Sequence, residues 1–224
     1  MILYLHGFAS SPQSYKAQRF QRGFAALGID ITIPALDEGD FTGLTLTRQL
    51  RVIARAAAER PPGEPLVLIG SSMGGYLALL HAAAHPVTAL VLMAPAVDFL
   101  QRWRERLGPA ALQHWREQGT LLVDHVAQRR PLPLSYALME DADLHPPMPP
   151  ACAPALVLQG VHDPVVPLDR VQRWAAGQSS VTLLTFDAGH ELTECVDDLF
   201  AQTLRFLAAL PAVAAAYPAL CSVT

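Results

Sequence analysis

Residues 66–84 read LVLIGSSMGGYLALLHAAA. The apolar run 66–69 has strand length and breaks into Gly70-Ser71-Ser72-Met73-Gly74-Gly75, after which Tyr76, Leu77 and Leu80 recur with helical spacing. A strand therefore turns into a helix with a serine at the point of sharpest reversal. Gly70 and Gly74 flank Ser72 in the pattern G-x-S-x-G. A hydroxyl attacks a carbonyl only if it projects clear of the backbone, which forces its residue into a strained conformation. Such a turn leaves no room for side chains two residues away, and glycines supply the space. The helix opening at Met73 would aim its free amides and its positive dipole end at the same point. Ser72 is the candidate nucleophile, and Ser71, without the flanking glycine pair, reads as a passive neighbour.

The rest of the chain repeats the strand–helix rhythm. Apolar runs at 2–5, 29–33, 89–93, 155–158 and 181–186 have strand length, and several are continuous rather than alternating, as parallel strands covered on both faces require. Helical patterns lie at 14–27, 44–59, 73–84, 165–176 and about 195–210. The expectation is an α/β chain with a mostly parallel sheet of about six strands, helices on both faces and right-handed crossovers. Residues 98–150 break the rhythm with no convincing strand, helical stretches at 99–107, 110–118 and 121–128, and a proline-rich return, His145-Pro-Pro-Met-Pro-Pro. Some fifty residues exceed an ordinary connection, so 98–150 reads as a helical cap inserted in a single domain spanning 1–210. Residues 211–224 are rich in small side chains and read as a loosely held tail.

A serine needs a base, and the base needs a carboxylate to orient it. At an elbow of this kind the chain order is serine, then Asp or Glu, then His, the last two following later strands. Gly160-Val-His162-Asp163 follows the run 155–158, and Asp187-Ala-Gly189-His190 follows the run 181–186. Asp163 is therefore the expected orienting acid and His190 the expected base. Asp98, after 89–93, is the rival carboxylate. His162 would reach the serine from the wrong strand, Asp187 reads as a turn former, and His81, His85 and His125 fall in helical patterns. Two backbone N–H groups are needed for the oxyanion: that of Met73, and that of Phe8, after the step His6-Gly7. His6 itself reads as structural.

The opening LYLHGFASSPQSYKAQ and the GSS-x-GG elbow resemble the YqiA-like small bacterial esterases of the α/β-hydrolase superfamily. The elbow stretch GSSMGGYLALLHAAAHP, the Trp-containing cap and GVHDPVVP also resemble the mitochondrial palmitoyl-protein thioesterase of the abhydrolase-domain type. The resemblance covers residues 1 to about 207. It implies an α/β-hydrolase fold and a serine hydrolase of esters or thioesters that uses Ser72, Asp163 and His190 without cofactor or metal. Two departures stand out: the chain begins on the strand bearing His6, which reduces the sheet, and the cap is longer than the YqiA-like pattern.

Expected substrates are carboxylic esters with short to medium acyl chains, held by Phe8 and by the cap residues Trp103, Trp115, Leu121, Tyr136 and Met139, with no evident cationic clamp. The cluster Arg102–Arg106 reads as a solvated helix face. Alternatives are an acyl thioesterase and a non-catalytic hydrolase-fold binding protein. A net charge of −4 gives no reason to expect nucleic acid as a partner. With 51% hydrophobic residues a large core is available. No stretch is long and apolar enough to suggest a membrane span, and MILYLHGF has no basic n-region. Cys152, Cys195 and Cys221 lack metal-ligand spacing and suit free thiols, so a cytoplasmic location is expected. The oligomeric state is left open.

Overall fold

The structure, a computed structural model, describes residues 1–222. Along the chain, β1 (Ile2–Leu5) leads through α1 (Tyr15–Ala25) and α2 (Leu46–Ala58) to β2 (Val67–Ser71), α3 (Met73–Ala84) and β3 (Ala89–Met93). Next come α4 (Phe99–Gln118), the strands β4 (Thr120–His125) and β5 (Arg130–Ser135), and α5 (Ala137–Ala142). The chain returns through β6 (Ala155–Gly160), α6 (Leu168–Ala176), β7 (Val181–Phe186), α7 (Val196–Ala208) and α8 (Pro211–Ala216) to a 3₁₀ turn, Pro218–Ser222.

One sheet runs β1-β2-β3-β6-β7 with every pairing parallel. Its strands are continuously apolar because both faces are covered. Ile2, Tyr4, Val67, Ile69, Val91 and Leu156 face Phe20 and Phe24 of α1 and Leu199, Phe200 and Leu204 of α7. Their alternate neighbours, Leu3, Leu5, Leu68, Leu90 and Val157, face Leu46 and Ile53 of α2 and Leu77 of α3. The period of two along each strand thus divides the apolar residues between two cores.

Two expectations for secondary structure are corrected. Residues 29–33 do not form a sixth strand: only Thr32 bridges Leu3, through Tyr4 N–H to Thr32 O at 2.8 Å and Thr32 N–H to Ile2 O at 3.0 Å. Pro34 has no N–H to extend that pairing. Residues 121–128 are not helical, because β4 pairs antiparallel with β5 from Thr120↔Ser135 to His125↔Arg130. Leu121, Val123 and His125 turn toward the protein while Thr120, Leu122 and Asp124 are exposed, which is the strand period of two. Gly119, left-handed at φ 73°, ends α4 before the hairpin, and Gly108 (φ 73°) with Pro109 kinks α4 at its middle. The inserted segment is therefore a kinked helix, a hairpin and a short helix. It shares the α2–α3 core through Phe99, Trp115, Leu134 and Leu138, all nearly or fully buried.

The tail is also corrected over its described part. Val213 and Leu220 are fully buried against the α1–α7 core, and Tyr217 Oη donates to Glu64 Oε1 at 2.8 Å. The same Glu64 oxygen pairs with the Met1 ammonium at 2.6 Å, tying the two ends of the chain together. Residues 223–224 lie outside the described residues. Leu220→Ala is expected to lower the unfolding free energy by about 2–4 kcal/mol, measured by urea denaturation. An unchanged midpoint would mean that the turn is not docked. No helix among the described residues is long and apolar enough to cross a membrane.

Candidate active site

Ser72 joins β2 to α3 with φ 52° and ψ −115°, a conformation that L-residues rarely hold. Its N–H donates to Met93 O at 2.8 Å, and its carbonyl accepts from Ala96 N–H at 3.0 Å, so β3 and the loop after it clamp the turn. Glycine is required on both sides. A Cβ at Gly70 would overlap the Gly74 carbonyl, and one at Gly74 would overlap the end of β1, 2.6 Å from the Leu5 carbonyl carbon. The amides of Phe8 and Met73 donate no hydrogen bond within the described residues. Phe8, Met73, Ser72 and His190 all line one cavity of about 880 Å³. Gly7 brings the β1 loop against the serine, since a Cβ there would lie 3.5 Å from Ser72 Cβ.

His6 sits beneath this loop, almost fully buried, and accepts from Leu36 N–H at its Nε2. Its Nδ1, 3.0 Å from Gly7 O, is then the protonated nitrogen. Burial lowers its pKa, which favours the neutral ring that this pattern needs. His6 braces the loop that carries Phe8.

The loops after β6 and β7 bring two side chains to the serine. His190 Nε2 lies 3.0 Å from Ser72 Oγ, and His190 Nδ1 lies 2.8 Å from Asp163 Oδ2. A carboxylate only accepts, so Nδ1 carries the proton and Nε2 is the acceptor for the serine hydroxyl. The Asp163 side chain is fully buried. Its Oδ1 accepts from Val165 N–H at 2.8 Å and Val166 N–H at 2.7 Å, and its Oδ2 also accepts from Gln159 Nε2 at 3.0 Å. Burial pushes the carboxyl pKa up, but the His190 hydrogen bond and charge and the two N–H donors outweigh it, leaving the group below the usual carboxylate range. Asp163 is thus held as an anion facing the imidazole.

Gln159 and Lys16 belong to this arrangement and were missed in the sequence. Gln159, fully buried, donates both to Asp163 and to Val166 O at 2.9 Å, fixing the acid loop from the strand below. Its signal was a single amide at the end of an otherwise apolar strand. Lys16, on the buried face of α1 with Ala17 and Phe20, donates its ammonium to the Glu191 carbonyl at 2.5 Å, next in the chain to His190. Burial lowers its pKa, against the raising influence of the Glu191 and Asp163 charges.

The rival groups are engaged elsewhere. Asp98 pairs with Arg170 Nη1 at 2.5 Å, and His162 pairs with Asp187 at 2.7 Å on the exposed side of the acid loop. His125 lies in the hairpin against the Phe41 ring rather than in a helix. Cys152, Cys195 and Cys221 are free thiols.

Of the expected lining residues, Phe8, Trp103 and Leu121 reach the cavity, while Trp115, Tyr136 and Met139 do not. Trp115 is fully buried, donates its indole N–H to Leu134 O at 2.9 Å and packs edge-on against Tyr136, and Met139 is buried in the same core. These three fasten the inserted segment to the sheet. No cationic clamp is evident in the sequence, yet three arginines, Arg102, Arg106 and Arg170, line the cavity.

A parallel sheet wound on both faces, with a strained serine elbow and His and Asp on later strand ends, defines an α/β hydrolase. Solved structures share that fold. One from Agrobacterium vitis S4 is 26% identical with a TM-score of 0.79, covering 92% of this chain and 87% of that chain. Alpha/beta hydrolase domain-containing protein 10 from mouse is 21% identical with a TM-score of 0.74, covering 90% of this chain and 87% of that chain. The chain belongs to the uncharacterised protein family UPF0227, which matches it over residues 1–208. It is also similar to the mitochondrial palmitoyl-protein thioesterase ABHD10. The identity is 26% over 178 residues in Bos taurus, covering 74% of this chain and 58% of that protein. In Mus musculus it is 26% over 181 residues, covering 75% and 60%. The chain thus spans about three-fifths of the length of the curated relatives it matches.

Proposed function

We propose that the chain is a serine hydrolase that cleaves carboxylic esters of short to medium acyl chains through an acyl-serine intermediate. The observation that carries this reading is the continuous hydrogen-bonded line from Ser72 Oγ through the His190 ring to Asp163, with distances of 3.0 and 2.8 Å. In the first half-reaction Ser72 Oγ bonds to the carbonyl carbon while its proton moves to His190 Nε2. The carbonyl oxygen becomes the oxyanion and is met by the Phe8 and Met73 amides, which have no other partner among the described residues. The imidazolium, stabilised by anionic Asp163, then protonates the leaving alcohol as the ester bond breaks. In the second half a water attacks the acyl-serine, its proton passes through His190 back to Ser72 Oγ, and the carboxylic acid departs. The sum is ester plus water giving acid plus alcohol, and the protein is returned unchanged.

The apolar part of the lining, Phe8, Trp103, Leu107, Leu121 and Val123, suits an acyl chain within a cavity of about 880 Å³. A second reading, an acyl thioesterase, is favoured by the sequence similarity to the mitochondrial palmitoyl-protein thioesterase ABHD10. The same groups cleave either bond, and only the leaving atom differs.

A fluorophosphonate probe is expected to add to Ser72 in the folded protein, and more slowly while an excess of a turned-over ester is present. Absence of an adduct on Ser72 in folded protein would leave a ligand-binding hydrolase fold instead. Matched oxygen and thio esters of one acyl group separate the two enzymatic readings: a higher kcat/KM on the oxygen ester supports the esterase, and the reverse supports the thioesterase.

A further inference from the structure

The cavity beside Ser72 contains a positive charge that the proposed hydrolysis does not use. One face of α4 carries Phe99, Arg102, Trp103 and Arg106 at helical spacing, and all four line the same cavity as Ser72 and His190. Arg102 is only partly exposed. It donates from Nη1 to Val165 O at 2.6 Å, next to the loop that carries Asp163. Its Nε is buried without a hydrogen-bond partner, and its Nη2 donates to nothing among the described residues. Arg170, on the same cavity, is instead fully occupied, with Nη1 on Asp98 and Nη2 on Glu105, both at 2.5 Å.

Only the Nε end of the Arg102 guanidinium is thus withdrawn from water, and no carboxylate among the described residues lies at ion-pair distance. Burial pulls its pKa down to about 10, against the raising influence of Asp163, Asp98 and Glu105 from farther away. It remains charged at neutral pH. A guanidinium held in place by one carbonyl and left without a carboxylate partner is suited to bind one, and Nη2 is the donor free to do so. Three arginines and three carboxylates (Glu105, Asp124 and Glu191) line the cavity, so the formal charges cancel and leave no surplus for a phosphate dianion. The place for one negative charge is local, at Arg102, since Arg170 is already held by Asp98 and Glu105. Asp124 and Glu191 are exposed at the mouth, where solvent screens them, whereas Arg102 is partly covered.

We infer that Arg102 binds a free carboxylate carried by the substrate, so that the ester preferred by this site has a second, ionised acid group. This rests on the serine-hydrolase reading and narrows its substrate class. The carboxylate can stand on either side of the scissile bond, and the test has one arm for each. On the acyl side, kcat/KM for 4-nitrophenyl hydrogen adipate is compared with 4-nitrophenyl hexanoate. On the leaving-group side, 4-carboxyphenyl acetate is compared with 4-carbamoylphenyl acetate. The expected result is a preference for the carboxylate ester of about ten- to a hundredfold in at least one arm, the range of a charged hydrogen bond. Arg102→Gln should collapse the ratio of the two kcat/KM values toward one, and Arg102→Lys should restore part of it.

A wild-type enzyme that prefers neither carboxylate ester would overturn the proposal, and so would a ratio that Arg102→Gln leaves intact. An equal loss on both esters of a pair would also overturn it, assigning Arg102 to bracing the Val165 loop. If Arg102→Gln does not fold, the wild-type ratio and its decline with ionic strength still decide. If wild type turns over no ester and the fluorophosphonate leaves Ser72 free, the hydrolase reading fails separately. Calorimetric binding of monomethyl adipate, present in wild type, lost in Arg102→Gln and partly kept in Arg102→Lys, then supports the carboxylate site, and its absence in wild type ends it.

Discussion

Ser72→Ala is expected to lower kcat/KM on any turned-over ester by on the order of 10⁴–10⁶-fold while leaving the thermal transition near that of the wild type. The loss is large because the groups around Ser72 act only on its hydroxyl. His190 Nε2, 3.0 Å away, has no other proton to take, and the Phe8 and Met73 amides would stabilise an oxyanion that no longer forms. Stability should not follow activity. The side-chain hydrogen bond lost is one, to a half-buried ring, while the backbone bonds from Ser72 to Met93 and Ala96 remain. Alanine keeps a Cβ, so the strain at φ 52° persists. Ser72→Gly should be equally inactive but more stable than Ser72→Ala by about 1 kcal/mol, because glycine holds a positive φ without penalty. Adding His190→Ala to Ser72→Ala should cost little more, since the two act as a unit. Residual turnover within tenfold of wild type on a purified Ser72→Ala protein would remove Ser72 from the mechanism.

The elbow and the two later strand ends were legible because each depends on local chemistry. Ser72, Asp163 and His190 each follow a strand, and a parallel sheet brings successive strand ends to one edge whatever the intervening sequence does. The inserted segment was read less well. Leu121, Leu122 and Val123 are consecutive apolar residues and fit a helix or a strand, and what decides for the hairpin is pairing with Arg130–Ser135, a partner that no local pattern specifies. That partner contains two prolines, Pro131 and Pro133, which the pair tolerates because it has no third strand to satisfy. Trp115 and Met139 were assigned to substrate because large apolar residues in a cap serve either role; only the packing shows that they anchor the segment. Arg102 was misread for the opposite reason. A basic residue on a helix is usually solvated, and its place beside Phe99 and Trp103 on the cavity face became visible only once α4 was laid over the sheet. The tail was misjudged from composition: small residues supply few anchors, but Val213 and Leu220 are sufficient when both fit the α1–α7 core.

Gly74→Ala is expected to destabilise the fold by about 3–5 kcal/mol, at the upper end of what one added methyl does. A Cβ at this position would meet backbone, not a side chain that could rotate aside: it overlaps the Leu5 carbonyl and comes within 2.7 Å of the His6 oxygen. Relief requires either α3 or the end of β1 to move. Helix α3 has little freedom to do so, because every residue from Met73 to Ala82 is buried. Strand β1 is paired along its length with β2, Leu5 opposite Gly70, and its next residues bring Gly7 against Ser72. The strain therefore falls on the loop that carries Phe8, the proposed oxyanion donor. Molecules of Gly74→Ala that do fold should have kcat lower by about 10²–10³-fold, the worth of one misplaced donor. Gly177→Ala is the matched control: it ends α6 at φ −89° with nothing within 4 Å of the new Cβ. It should be stabilising by about 0.4–1 kcal/mol through the unfolded chain alone, with kcat unchanged. Urea midpoints and kcat on one nitrophenyl ester, measured for both variants, test the contrast. A Gly74→Ala protein as stable as wild type would show that the elbow and β1 do not approach as closely as the site requires.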